Sequence, residues 1–173
     1  MYYFKQLLFF ILVSGICTSA LADDAGKNIY KGSIENRVNS LASIQPGLGV
    51  IMHEIGYRAS AMYWAGKGGN WGLAQYELKE MLEAQEVAEL TRPQRAGMLK
   101  AFEQNNIPPL KKAIAKKDVR LFEERFSATV AACNGCHTAL GYGFIKFQVP
   151  LQSKHDVLDF NLKTDPKYEE EHH

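Results

Sequence analysis

Three side chains in one short run have the types and spacing to do chemistry: Cys133, Cys136 and His137, in Cys133-Asn134-Gly135-Cys136-His137. Two thiols separated by two residues can each form a thioether to one of the two vinyl groups of a single porphyrin. An imidazole directly after the second thiol then lies under the iron, with a ring nitrogen able to bind it. C-x-x-C-H is the attachment signature of c-type haem, so the expected cofactor is one covalent haem c. Cys133 and Cys136 are its expected attachment points and His137 an axial ligand. On a helix Cys133 and His137 share a face, and the small Asn134 and Gly135 let a porphyrin edge approach the backbone. A structural zinc site wants about four ligands, and neither another retained cysteine nor a second histidine at helical spacing is at hand. A thioredoxin-like dithiol belongs on a βαβ unit, which this chain does not suggest.

The compartment follows from the start of the chain. Lys5, an apolar run from Leu7 to Ile16 and the small-x-small pattern Ala20-Leu21-Ala22 describe a cleaved signal peptide over residues 1–22. The run is too short to span a hydrocarbon core of about 30 Å. The expectation is an exported periplasmic protein, not an integral membrane one. Cys17, one of three cysteines, leaves with the signal. The whole chain carries 20 Lys and Arg against 19 Asp and Glu, and loss of Lys5 makes it neutral. The basic residues are dispersed, with no stripe interleaved with aromatics, so no nucleic-acid partner is expected.

The elements that must position the motif read as helices. After a polar leader over 23–43, apolar residues recur at helical spacing from Ile44 through Leu48, Ile51, Met52, Ile55, Ala59 and Met62. They place a first helix over about 44–66, with Pro46 in its first turn and Gly66, Gly68 and Gly69 at its end. Asn70 is an N-cap for a second helix running to Leu90, with Trp71, Ala74, Leu78 and Met81 as its apolar stripe. Thr91, Pro93 and Gln94 signal the start of a third, which Pro108-Pro109 should interrupt. Asp118 caps a fourth, whose face carries Val119, Phe122, Phe126, Val130, Cys133, His137 and Leu140 before Gly141 and Gly143 stop it. Four helices with short connections predict an all-α, antiparallel four-helix bundle over 44–150 with the haem on its last helix. The remainder, 151–173, reads as a loose polar tail in which His155, His172 and His173 are solvated.

A haem motif on the last helix, not near the N-terminus, resembles the class II cytochromes c, the group of cytochrome c′ and its low-spin relatives. Met52-His53-Glu54-Ile55, Tyr63-Trp64-Ala65-Gly66, Asn70-Trp71-Gly72-Leu73-Ala74 and the ending Ala132 to His137 with Gly143-Phe144-Ile145 and Pro150 are similar to exported bacterial monohaem proteins. The resemblance covers roughly 45–150 and implies a haem-bearing bundle without a defined reaction. It also leaves room for a homodimer through the first two helices.

In the low-spin members a first-helix methionine closes the iron, and Met52 matches that placement. Met52 also suits core packing. His53 is the rival ligand, on a face with Gly49, Gly56 and Ser60. A His/Met iron implies electron transfer with an unidentified redox partner protein and no enzyme activity. The alternative is a five-coordinate, gas-binding protein of the cytochrome c′ kind, with Leu48 or Ile51 over the iron. A peroxidase would need a distal acid–base pair, and the adjacent His53 and Glu54 point about 100° apart on a helix. Arg58 is placed either in solvent or on a haem propionate. Tyr142 and Phe144 read as core or as cover for the porphyrin edge, Trp64 and Trp71 as packing or pocket walls. The run Lys111, Lys112, Lys116, Lys117 is a solvated face or a docking patch for an acidic partner.

Overall fold

The computed structural model describes residues 28–153 and 157–167. The expected signal peptide and His155, His172 and His173 lie outside them. Five helices form: α1 Ile34–Ser43, α2 Leu48–Gly68, α3 Trp71–Thr91, α4 Pro93–Lys116 and α5 Val119–Ala139. The described residues contain no strand, so the protein is all-α. None of their helices is long and apolar enough to cross a membrane.

The chain divides after Ile44 into two units. The first holds α1, inside what the sequence suggests is a polar leader. Ser33 caps it by accepting from the Asn36 N–H at 3.2 Å. Ile34, Val38 and Leu41, at helical spacing, make an exposed apolar stripe. Ten residues with three scattered apolar positions give too short a period to stand out from a polar background.

The second unit is an all-helical bundle in which α2 packs on α3, α3 on α4, α4 on α5, and α5 back on α2. Its main core joins Met62 and Ala65 of α2, Leu78 and Met81 of α3, Leu110 and Ile114 of α4, and Phe122 and Phe126 of α5. A smaller cluster gathers Ile51, Ala88 and Leu99. Asn70 caps α3 by accepting from the Leu73 N–H, and Asp118 caps α5 by accepting from the Leu121 N–H. Both caps match the sequence.

Three boundaries differ from the sequence-based expectation. Pro46 precedes α2, whose N-cap is Gly47. Thr91 closes α3 instead of opening α4, its hydroxyl donating to the Val87 carbonyl at 2.8 Å. Pro108 and Pro109 do not interrupt α4. Both prolines face solvent while Ile107 and Leu110 on either side are buried, so water can hydrate the carbonyls they leave without a donor. Asn105 and Asn106 turn their side-chain amides back to the Ala101 and Phe102 carbonyls, at 2.7 and 3.2 Å.

The C-terminal segment is not a loose tail over 157–167. Phe160 packs on the main core. The Thr164 hydroxyl accepts from the Gly72 N–H at 3.0 Å and donates to Asn70 Oδ1. Asn70 in turn donates to the Asp159 carbonyl at 2.8 Å, and Lys117 pairs with Asp165. Glycines make room for this strap: a Cβ at Gly68 would run into the Phe160 carbonyl, and one at Gly72 would lie 2.8 Å from the Thr164 hydroxyl.

Candidate haem site at the end of α5

The motif occupies the last two turns of α5, where Phe122, Phe126 and Val130 anchor the same helix in the core. The anchoring leaves Cys133, Cys136 and His137 half-buried near the helix end. Both cysteines are free thiols. At a separation of three residues they are neighbours on the helix surface. Burial, aided by the charge of Cys136, pushes the Cys133 thiol up to about 11. Redox-active C-x-x-C thiols are shifted the other way, so the environment disfavours a thiolate nucleophile here. Among the described residues no group of three or more His, Cys, Asp and Glu could hold a metal ion. Two thioethers and a single imidazole require no such group.

Gly141 ends the helix in the left-handed region, with φ of 81°, and Tyr142 N–H donates to the His137 carbonyl at 2.7 Å. The chain then doubles back along α5. His137 Nδ1 lies 2.9 Å from the Ile145 carbonyl. A carbonyl can only accept, so Nδ1 carries a proton and Nε2 is the nitrogen left to act as a ligand. Two residues on, Asn134 holds Phe147 from both sides: its amide donates to the Phe147 carbonyl at 2.9 Å, and its Oδ1 accepts from the Phe147 N–H at 2.9 Å. A Cβ at Gly135 would meet nothing within 4 Å, leaving open space beside the backbone between the two thiols.

This donor set fits a c-type haem on chemical grounds. It offers two neighbouring free thiols, an adjacent imidazole with Nε2 available, and a side-chain-free glycine between the thiols.

Ahead of the motif, α5 packs on a stripe of α2. A Cβ at Gly66 would collide with the Phe122 ring. One stretch back, Tyr63 meets Phe126 with ring centroids 4.8 Å apart. Further back, a Cβ at Gly56 would touch the Phe147 ring at 3.7 Å, and one at Gly49 would meet nothing within 4 Å. Met52, between those two glycines, is half-buried and packs on the Ile51–Ala88–Leu99 cluster. His53 is exposed. The structure thus gathers Cys133, Cys136 and His137 on one helix end, while the contacts of Met52 are with the smaller core cluster.

Other candidates resolve plainly. Arg58 bonds Glu54 at 2.7 Å and the buried Glu77 at 3.2 Å, and lies 3.8 Å from Glu80. It is neither solvated nor free for a propionate. Trp71 is core, edge-on to Phe122 at 5.8 Å. Tyr142 and Phe144 are exposed and touch each other edge-on, centroids 6.1 Å apart. Lys111, Lys112, Lys116 and Lys117 are exposed, Lys117 being the partner of Asp165. Sequence reasoning missed Asn134 and the Ile145 carbonyl. The alternation of Phe147 and Val149, both packed on the core, was the available sign of an extended segment folding back onto α5.

Comparison with known protein families, with curated proteins and with solved structures finds no match.

Proposed function

We propose that this chain is a periplasmic monohaem c-type cytochrome, an antiparallel four-helix bundle that passes electrons to and from a partner protein. The observation that carries the proposal is the His137 ring. Its Nδ1 proton is committed to the Ile145 carbonyl and its Nε2 is free, beside two neighbouring thiols. Cys133 and Cys136 would bind the two vinyl groups and His137 Nε2 the iron. When bound, a haem supplies a one-electron Fe(III)/Fe(II) couple. The Nδ1–H···O=C bond fixes the ring's orientation and makes Nε2 a better donor.

Met52 is the proposed sixth ligand. In support, the α2–α5 seam pairs Gly66 with Phe122 and Tyr63 with Phe126. Continued from Tyr63 and Phe126 at one residue back on α2 for each residue forward on α5, that register pairs Gly56 with Cys133 and Met52 with His137. A thioether is a soft ligand that favours Fe(II), which suits a relay.

The test is expression with the haem-attachment machinery and spectroscopy of the product. The expected protein keeps its haem through acid–acetone extraction, loses it in Cys133→Ala/Cys136→Ala, and is low-spin when ferric with a weak sulfur-to-iron band. Met52→Ala should abolish that band, turn the iron high-spin and admit carbon monoxide. A wild type without covalent haem overturns the proposal. A high-spin ferric wild type removes Met52 as ligand and makes the protein a gas binder.

A further inference from the structure

The residues between the cysteines of a C-x-x-C-H motif need only be small for the attachment chemistry, yet Asn134 is engaged. One N–H of its side-chain amide and its Oδ1 lie in the arrangement of a peptide group, and both are matched by the backbone of Phe147 at 2.9 Å. In an extended segment the N–H and C=O of residues two apart point to the same side. Two residues before Phe147 the Ile145 carbonyl is turned to the same helix, where His137 Nδ1 meets it at 2.9 Å. The grip is reinforced on both flanks. The Thr138 hydroxyl donates to the Asn134 carbonyl at 2.9 Å, and the Phe147 ring lies at Gly56 of α2.

We propose that Asn134 is the positioning residue for His137: by holding Phe147 at both its N–H and its C=O, it keeps the Ile145 carbonyl on the Nδ1 proton and so sets the plane and tautomer of the imidazole. The proposal rests on the haem reading for its functional meaning, but the clip is a property of the chain itself. Without it the bond from His137 is left to hold the Ile145 carbonyl to α5 alone, and the Nδ1 proton turns more readily to water.

The test compares wild type, Asn134→Ala and Asn134→Asp, the last keeping the acceptor for Phe147 N–H and losing the donor. In the ferrous haem-loaded protein the Nδ1 proton of His137 is followed by its exchange with water. Loss of a hydrogen bond of ordinary net strength should accelerate that exchange by roughly tenfold in Asn134→Ala, with a smaller acceleration in Asn134→Asp. The reduction potential should rise, since a weaker bond at Nδ1 makes Nε2 a poorer donor to Fe(III). Helix content by circular dichroism should stay constant across the three. If Asn134→Ala fails to fold, slow exchange of the Phe147 amide in the wild type still reports the clip; fast exchange there overturns it. If haem attaches and the Nδ1 proton exchanges equally fast in all three, the inference is wrong and the haem reading stands. If no haem attaches to the wild type, the haem reading fails. The nitrogen shifts of His137 in the haem-free chain then decide the clip: Nδ1–H in wild type and Nε2–H in Asn134→Ala support it, and the same tautomer in both refutes it.

Discussion

Gly66 lies in the last turn of α2, where alanine would ordinarily favour the helix by up to about 1 kcal/mol. Here the added methyl would enter the Phe122 ring, a fully buried side chain packed among Tyr63, Trp71 and Phe126. Overpacking of this kind costs about 1–3 kcal/mol, so the clash outweighs the propensity. Gly66→Ala should lower the urea midpoint without changing the slope. Glu77 offers a second test. Burial raises its carboxyl, and the hydrogen bond and charge of Arg58 offset only part of that. The native state therefore holds this proton to higher pH than the unfolded chain does. The stability Glu77 contributes is complete below the ordinary carboxylate range and declines as pH rises through its folded value. Glu77→Gln should remove that decline, so the variant gains on wild type as pH rises above the ordinary carboxylate range, as read by urea unfolding at each pH. At this scale the sequence was most legible where chemistry is local: the cysteines and His137 are neighbours in the chain. Asn134 was not legible, because its role depends on a backbone segment that returns from beyond the helix.

α4 shows what a helix can absorb. Two consecutive prolines remove two donors, and the usual cost is about 3 kcal/mol or more at an interior site. Burial of Leu99, Ile107, Leu110, Ala113 and Ile114 along one face holds the helix through them, since each buried aliphatic side chain contributes about 1.5–3 kcal/mol. Pro108→Ala/Pro109→Ala should therefore stabilise the protein and raise its melting temperature, with helix content unchanged; a fall in melting temperature would mean the prolines hold a bend that the core requires. Propensity reasoning placed a break here because it weighs backbone terms and cannot see which face is buried. α3 and α5 were read correctly because cap and apolar period agree in both, from Asn70 and from Asp118. α1 was missed for the opposite reason: its apolar side chains stay exposed, and the period carries little weight in a short polar stretch.

For the second unit as a whole, the strap over 157–167 is a long-range closure. Thr164 serves two groups at once, the Gly72 N–H and the Asn70 amide oxygen. Thr164→Val should strand the Gly72 donor and cost about 1–3 kcal/mol, seen as a lower unfolding midpoint. The strap sits by Lys117 and Asp118, at the start of a 21-residue helix whose far end carries the motif. At 1.5 Å per residue the two are roughly 20–30 Å apart along the helix, so the haem spectrum of Thr164→Val should match the wild type. That separation also sets an order of events. On the proposed reading, in which the chain is exported N-terminus first, Cys133, Cys136 and His137 emerge before Phe147 and well before Thr164. When the thiols first become accessible, the backbone that later clips over Asn134 has yet to emerge. On the proposed haem reading, ligation can therefore precede closure, and the strap acts as a latch on a bundle whose cofactor is already in place.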